Sequence, residues 1–349
     1  LIYFEGGLLY FRIICCCKSG FILKMNKKVP VWNERWHLAA LSREELVRIG
    51  LVAVMIGLAF VLFHFQGNTT NLRLYGRSCF VWMVGRWRNM GGDFSHGWLI
   101  PLVSIWVVWL KRDELARAPK SIDWRGLVVV AGALLLHWLG AKAQQTRISL
   151  MAFITLLWGV PFYIYGWQVA RLLIFPCSYL FFCIPLNFLD TLTFPLRMIM
   201  TVISTHLLNG LGILVARHGS AIYSLSGGFD FDVAAPCSGL RSLLAMTALT
   251  AVYAYLTQKT LLRKWILFLC CVPLAIIGNI ARITTVGLVA EAFGERLATG
   301  IYHDYSGYVV FGVAIALMVA VGSLLNMNYK EVWRQWKHAY LDPISTSSS

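Results

Sequence analysis

Apolar residues run in long blocks along this chain, separated by short polar stretches. Blocks of that length predict helices that cross a bilayer, because about 20 apolar residues are needed to traverse the hydrocarbon core. Eight are predicted, at about 49–65, 98–110, 126–141, 148–166, 172–185, 238–256, 265–290 and 307–325. Two segments break the pattern. Residues 187–217 are apolar enough for a helix but carry Asp190, Pro195, Arg197, His206 and Asn209. Polar groups are costly in hydrocarbon, so this stretch predicts an amphipathic helix lying at the outer interface after a break at Pro195. A spanning helix is the alternative, and it would move everything after it to the other side. Around Ser226-Gly227-Gly228, residues 221–225 and 229–233 alternate between polar and apolar, which predicts a β-hairpin. Its unpaired backbone groups place it in water or in a protein-lined cavity. The fold class is therefore an all-α polytopic membrane protein with about eight transmembrane helices, an interfacial helix and a short outer-face hairpin before Cys237.

Charge adds an orientation. Of the 349 residues, 31 are Lys or Arg and 16 are Asp or Glu, a net +15 that would suggest nucleic acid in a soluble protein. Here the basic residues gather in short segments between apolar blocks, as at Lys111-Arg112 and at Lys259, Arg263 and Lys264. The excess of positive charge on cytoplasmic loops accounts for most of it, so the partner is the lipid bilayer and no nucleic acid is expected. Residues 66–96 fit less well, because Arg86 and Arg88 sit with Trp82 and Trp87 in a loop that the count of spans puts outside. A headgroup-level or re-entrant segment suits that mixture. Residues 1–24 are set aside as an extension upstream of the native start, with a signal anchor as the alternative. Residues 25–48 are expected to form a cytoplasmic lead-in opening a helix near Ser42-Arg43-Glu44-Glu45, 49–326 the transmembrane domain, and 327–349 a basic cytoplasmic tail. The nine cysteines show no paired spacing, so neither a disulfide framework nor a metal site is expected, and no cofactor is implied. Cys79 falls on the same side as Cys237, which leaves a disulfide between them open.

The candidate chemistry centres on Ala234-Ala235-Pro236-Cys237-Ser238-Gly239-Leu240-Arg241. A thiol at a helix N-terminus feels the positive end of the helix dipole, and Arg241 stands one turn on, so Cys237 is a candidate thiolate nucleophile. A small core cysteine is the competing reading. Arg282 lies about 25 Å along its span from Trp265 at about 1.5 Å per residue, close to the outer surface, and Asn279 precedes it by one turn on the same face. His303 is expected in an outer loop just before the last span. Three reactive residue types from three segments thus reach one level. Acyl transfer is the chemistry they permit, with Cys237 as nucleophile, His303 moving protons and Arg282 stabilising an oxyanion or the thiolate.

These residues resemble the exosortase/archaeosortase family of membrane-embedded cysteine transpeptidases. The resemblance rests on Ala235-Pro236-Cys237-Ser238-Gly239-Leu240-Arg241, on Asn279-Ile280-Ala281-Arg282-Ile283, and on His303 with Ser306-Gly307, supported by Phe94-Ser95-His96-Gly97 and Cys183-Ile184-Pro185-Leu186. It extends over about residues 45–326. It implies a Cys237–Arg282–His303 catalytic set at the outer face of the cytoplasmic membrane. It further implies substrate proteins with a C-terminal tripartite sorting signal (a short motif such as Pro-Glu-Pro, a transmembrane helix and a basic tail), passed to a surface glycan or lipid acceptor. Arg241 or Arg217 would read an acidic residue in the motif, while Ser238, Asn279 and His96 would be accessory. Two other classes remain open. A transporter would show an inverted repeat of spans, and none is found; a non-catalytic scaffold for polysaccharide export would not need the three reactive residues.

Overall fold

The structure, a computed structural model, describes residues 2–5, 8–12, 22–24, 42–69, 71–88, 94–186, 188–232, 240–327 and 333. The chain divides into two units, Leu1–Leu51 and Val52–Ser349. In the first, β1 (Ile2–Glu5), β2 (Leu8–Arg12) and β3 (Ile22–Lys24) form an antiparallel sheet in that order, within the stretch the sequence reading set aside. Helix α1 (Arg43–Phe65) opens on a reciprocal cap at the expected place: Glu45 N donates to Ser42 Oγ at 3.2 Å, and Ser42 N to Glu45 Oε2 at 3.3 Å.

The second unit continues with α2 (Leu72–Tyr75), α3 (Cys79–Arg88), a 3-10 turn at Ser95–Trp98 that runs into α4 (Leu99–Leu110), α5 (Arg112–Arg117), α6 (Trp124–Lys142) and α7 (Thr146–Tyr165). Then come α8 (Trp167–Tyr179) with a 3-10 turn to Cys183, α9 (Phe188–Gly210), β4 (Val215–His218), β5 (Ala221–Ser224), β6 (Asp230–Asp232) and α10 (Leu240–Thr257). The last elements are α11 (Leu261–Phe293), α12 (Glu295–Leu297) and α13 (His303–Asn326). Each of the eight apolar blocks holds a helix. Five of these are long and apolar enough to cross a membrane: α1, α6, α7, α11 and residues Tyr305–Asn326 of α13. The other three, at 95–110, 167–183 and 242–257, are shorter. Val54 and Leu58 on α1 and Val309 and Val313 on α13 are exposed, as side chains facing lipid can be without cost.

Helices α6 and α7 form a tight antiparallel pair. Asp123 starts α6 by accepting from Arg125 N at 3.1 Å, and the Arg125 guanidinium beside it holds its carboxyl below the usual carboxylate range. Gly126 lets the backbones meet, since a Cβ there would sit 2.3 Å from Tyr163 N.

The segment before the sheet corrects the sequence reading twice. Helix α9 continues through Pro195, and it packs lengthwise along α11. Asn279 Nδ2 donates to Met200 Sδ at 3.4 Å, Ser204 Oγ donates to Ile280 O at 3.4 Å, and a Cβ on Gly287 would meet Leu208 at 2.7 Å. These contacts climb both helices in the same direction, so the two run parallel. Several of its polar residues find partners within the protein: the Thr201 and Thr205 hydroxyls bond back to Arg197 O and Thr201 O, and the Asn209 amide pairs with both backbone groups of Val215, while Arg197 Nε is buried without a partner among the described residues. The end of the expected helix is instead a strand, β4, which pairs antiparallel with β5 (Val215↔Ser224). The predicted hairpin is β5–β6, with Ala221 opposite Asp232. Asn209 covers one side of the sheet, and Glu295 Oε2 accepts from Asp230 N at the other, so both edge strands have partners outside the sheet. Val215, Ile222, Phe229 and Phe231 bury their side chains against Leu208 of α9 and Ile283, Val286 and Ala290 of α11.

Candidate functional site

Helix α11 is one continuous element of 33 residues, capped by Thr260 at its start and ended by Gly294 at φ 91°. Gly278 and Arg282 lie one turn apart on it, facing α13. The chain then passes α12 and a wide turn at Ala298–Tyr302, in which Gly300 leaves helical geometry, before it enters α13. His303 is the first residue of α13, so it lies on the helix and not in a preceding loop as expected. The wide turn re-aims the chain so that this first residue points inward, where His303 is 6% exposed.

The structure brings Arg282 and His303 together. Arg282 Nη2 stands 2.9 Å from His303 Nε2 and donates to His303 O, also at 2.9 Å. Ser306 Oγ donates to the same carbonyl at 2.9 Å. Nη2 is also 3.4 Å from Nδ1 of the same ring, so the guanidinium lies over the face of the imidazole and contacts both nitrogens. Gly307 makes the approach feasible, because a Cβ there would lie 2.9 Å from Nη2 and 3.1 Å from Cζ. Arg282 is half-buried, and its Nε is buried with no hydrogen-bond partner among the described residues. That leaves one donor of the site unspent.

Beside this pair is a narrow cleft between α10, α11 and α13, walled by Ser242, Met246, Asn279, Arg282, Gly307 and Phe311. Asn279 is buried and faces both the cleft and Met200 of α9. Cys237 and Ser238 lie outside the described residues, as does the side chain of Arg241. Arg217 stands exposed on β4 and donates to Gly219 O at 2.8 Å. His96 lies in the 3-10 turn before α4, beside Phe94, in a region that packs on α3 and the end of α8 rather than on α11. Cys79 is a free, fully buried thiol, and burial pushes it up to about 12, which makes it inert at neutral pH.

The sequence reading assigned no role to Glu291 and Glu295, which tie the sheet to this end of α11: Glu291 accepts from the hydroxyls of Ser224 and Ser226, and Glu295 from Asp230 N. Gly307 entered the family resemblance only as part of Ser306-Gly307 after the histidine, with no role of its own.

A family model described as Transmembrane exosortase (Exosortase_EpsH) matches residues 87–320, a segment that contains Cys237, Arg282 and His303. No curated protein and no solved structure matches the chain.

Proposed function

The chain belongs to the transmembrane exosortase family, and from that premise we propose that it is a membrane cysteine endopeptidase or transpeptidase acting on C-terminal sorting signals. The observation that carries this reading is the Arg282–His303 pairing across α11 and α13. The substrate's helix lies beside the spans, and its short motif reaches the cleft at the outer face of the cytoplasmic membrane. Arg241 or Arg217 reads an acidic side chain of the motif, Ser238 and Asn279 help to hold it, and His96 supports the fold nearby.

Cys237 attacks the scissile carbonyl carbon, forming a carbon–sulfur bond while its proton passes to His303. Collapse of the adduct breaks the carbon–nitrogen bond, and His303 returns the proton to the leaving amine. Arg282 has two tasks in this sequence. Its unspent Nε donates to the developing oxyanion, and its Nη2, over the face of the His303 ring and bonded to His303 O, holds the imidazole in place for proton transfer. Water then yields a free carboxylate, and an amine on a surface glycan or lipid yields an amide.

Co-expression with a candidate tripartite-signal substrate tests this by substrate mass. Loss of the C-terminal helix with the intact enzyme, absent with Cys237→Ala, is the expected result. Added mass on the shortened product identifies transfer, and a free carboxylate identifies hydrolysis. Processing that persists in Cys237→Ala overturns the reading.

A further inference from the structure

Away from Arg282, two more arginines converge on one indole. Trp82 of α3 is buried, and the guanidinium carbons of Arg86 and Arg147 lie 5.6 and 5.4 Å from the centroid of its ring. Arg86 is one turn beyond Trp82 on α3, and Arg147 is in the first turn of α7. The two cations are close enough to repel each other. A tryptophan face attracts a guanidinium but cannot neutralise it. Each guanidinium carries five N–H donors. Arg147 uses two of its own, on Pro185 O at 2.7 Å and Gln145 Oε1 at 3.3 Å. Arg86 uses none on the described residues, although its Nε is buried. Neither forms an ion pair among the described residues. Residues 66–88 hold Arg73, Arg77, Arg86 and Arg88 and no acidic residue, and the nearest carboxylate in sequence, Asp93, lies outside the described residues.

Two half-buried like charges with spare donors, held on opposite helices, call for an anion. Donors offered by two guanidiniums beside one indole suit the tetrahedral oxygens of a phosphate. The location narrows the source, because Arg147 is the second residue of a membrane-crossing helix and so stands at the level of lipid headgroups. We propose that Arg86 and Arg147, both beside Trp82, form a binding site for a phosphate group, presented there by an anionic lipid headgroup. The site also gives a role to Arg86, which the bias of positive charge toward cytoplasmic loops does not explain.

The test is the thermal unfolding midpoint of the purified full-length protein in detergent, with phosphatidylglycerol, phosphatidylcholine or inorganic phosphate added at matched ionic strength. Phosphatidylglycerol is expected to raise the midpoint by about 3–5 °C at a hundredfold excess over Kd, and the Arg86→Gln/Arg147→Gln variant to lose that rise. Arg88→Gln, at the exposed end of α3, keeps it. A rise with phosphatidylglycerol but not inorganic phosphate assigns the group to a lipid; an equal rise with both assigns a free anion site of the same chemistry. If the double variant yields no folded protein, Arg86→Gln alone carries the test, since its guanidinium makes no hydrogen bond to the described residues. A rise unchanged on removing these arginines, or no rise with either ligand, overturns the proposal.

Discussion

Arg282 illustrates how much one side chain can be asked to do when its neighbours leave it room. It donates to the ring and the carbonyl of His303 and keeps Nε in reserve, all within van der Waals distance of Gly307. The depth of Arg282 along its span and its level with His303 could be estimated from sequence, because helical rise is constant. The glycine could not be assigned, because its role is an absence of atoms that only the facing arginine reveals. Gly307→Ala separates site geometry from stability. Alanine favours a helix interior over glycine by about 0.5–1 kcal/mol, so the unfolding midpoint should hold or rise, while the added methyl displaces the guanidinium. Processing of a sorting-signal substrate should fall about tenfold or more, and Arg282→Gln should fall further, by about a hundredfold to a thousandfold, the usual cost of one oxyanion donor. Processing at the parental rate in Gly307→Ala would mean that the Arg282–His303 spacing is not used in the reaction.

Among the elements, the helices and the β5–β6 hairpin were legible because apolar runs and a Gly-Gly turn are local signals. What escaped was set by contacts between distant segments. Strand β4 is only four residues long and gains its structure from pairing with β5 and from the Asn209 amide. Pro195 looked like a helix break, yet α9 passes through it, since packing against α11 compensates for the lost hydrogen bond. The position of α9 depends on Gly287, where α11 lets Leu208 approach. Gly287→Leu should therefore push the two helices apart, lowering the unfolding midpoint by several degrees and reducing processing, because Ile283 beside the arginine is part of the same buried cluster. Leu208→Ala in the Gly287→Leu background should restore part of the loss. A glycine-to-leucine change without effect on the midpoint would show that α9 does not pack there.

For the whole molecule the decisive length is that of α11. Near its start, the Lys264 ammonium lies 4.7 Å from the Tyr255 ring centroid, and Lys111, from the basic loop after α4, is close enough to act on both residues. The two basic loops therefore meet at one end of the protein. Near the other end of α11, Glu291 holds Ser224 and Ser226 of the sheet. Lys264 and Glu291 are about 40 Å apart along a continuous helix at about 1.5 Å per residue, more than the roughly 30 Å of a hydrocarbon core. A crossing by α11 would put the basic end and the sheet end on opposite sides of the membrane, and the bias of positive charge toward the cytoplasm predicts which is which. Cysteines placed at exposed positions read this directly: in intact cells, Leu225→Cys beside the sheet should take up a membrane-impermeant maleimide beyond the parental background, and Lys259→Cys only after lysis. The reverse pattern would put Arg282 and His303 on the cytoplasmic side, where a surface-sorting reaction has no acceptor, and the proposed reaction would fall with it. Labelling of both positions in sealed cells would contradict the crossing itself, since no continuous helix of that length can span the core with its two ends in the same compartment.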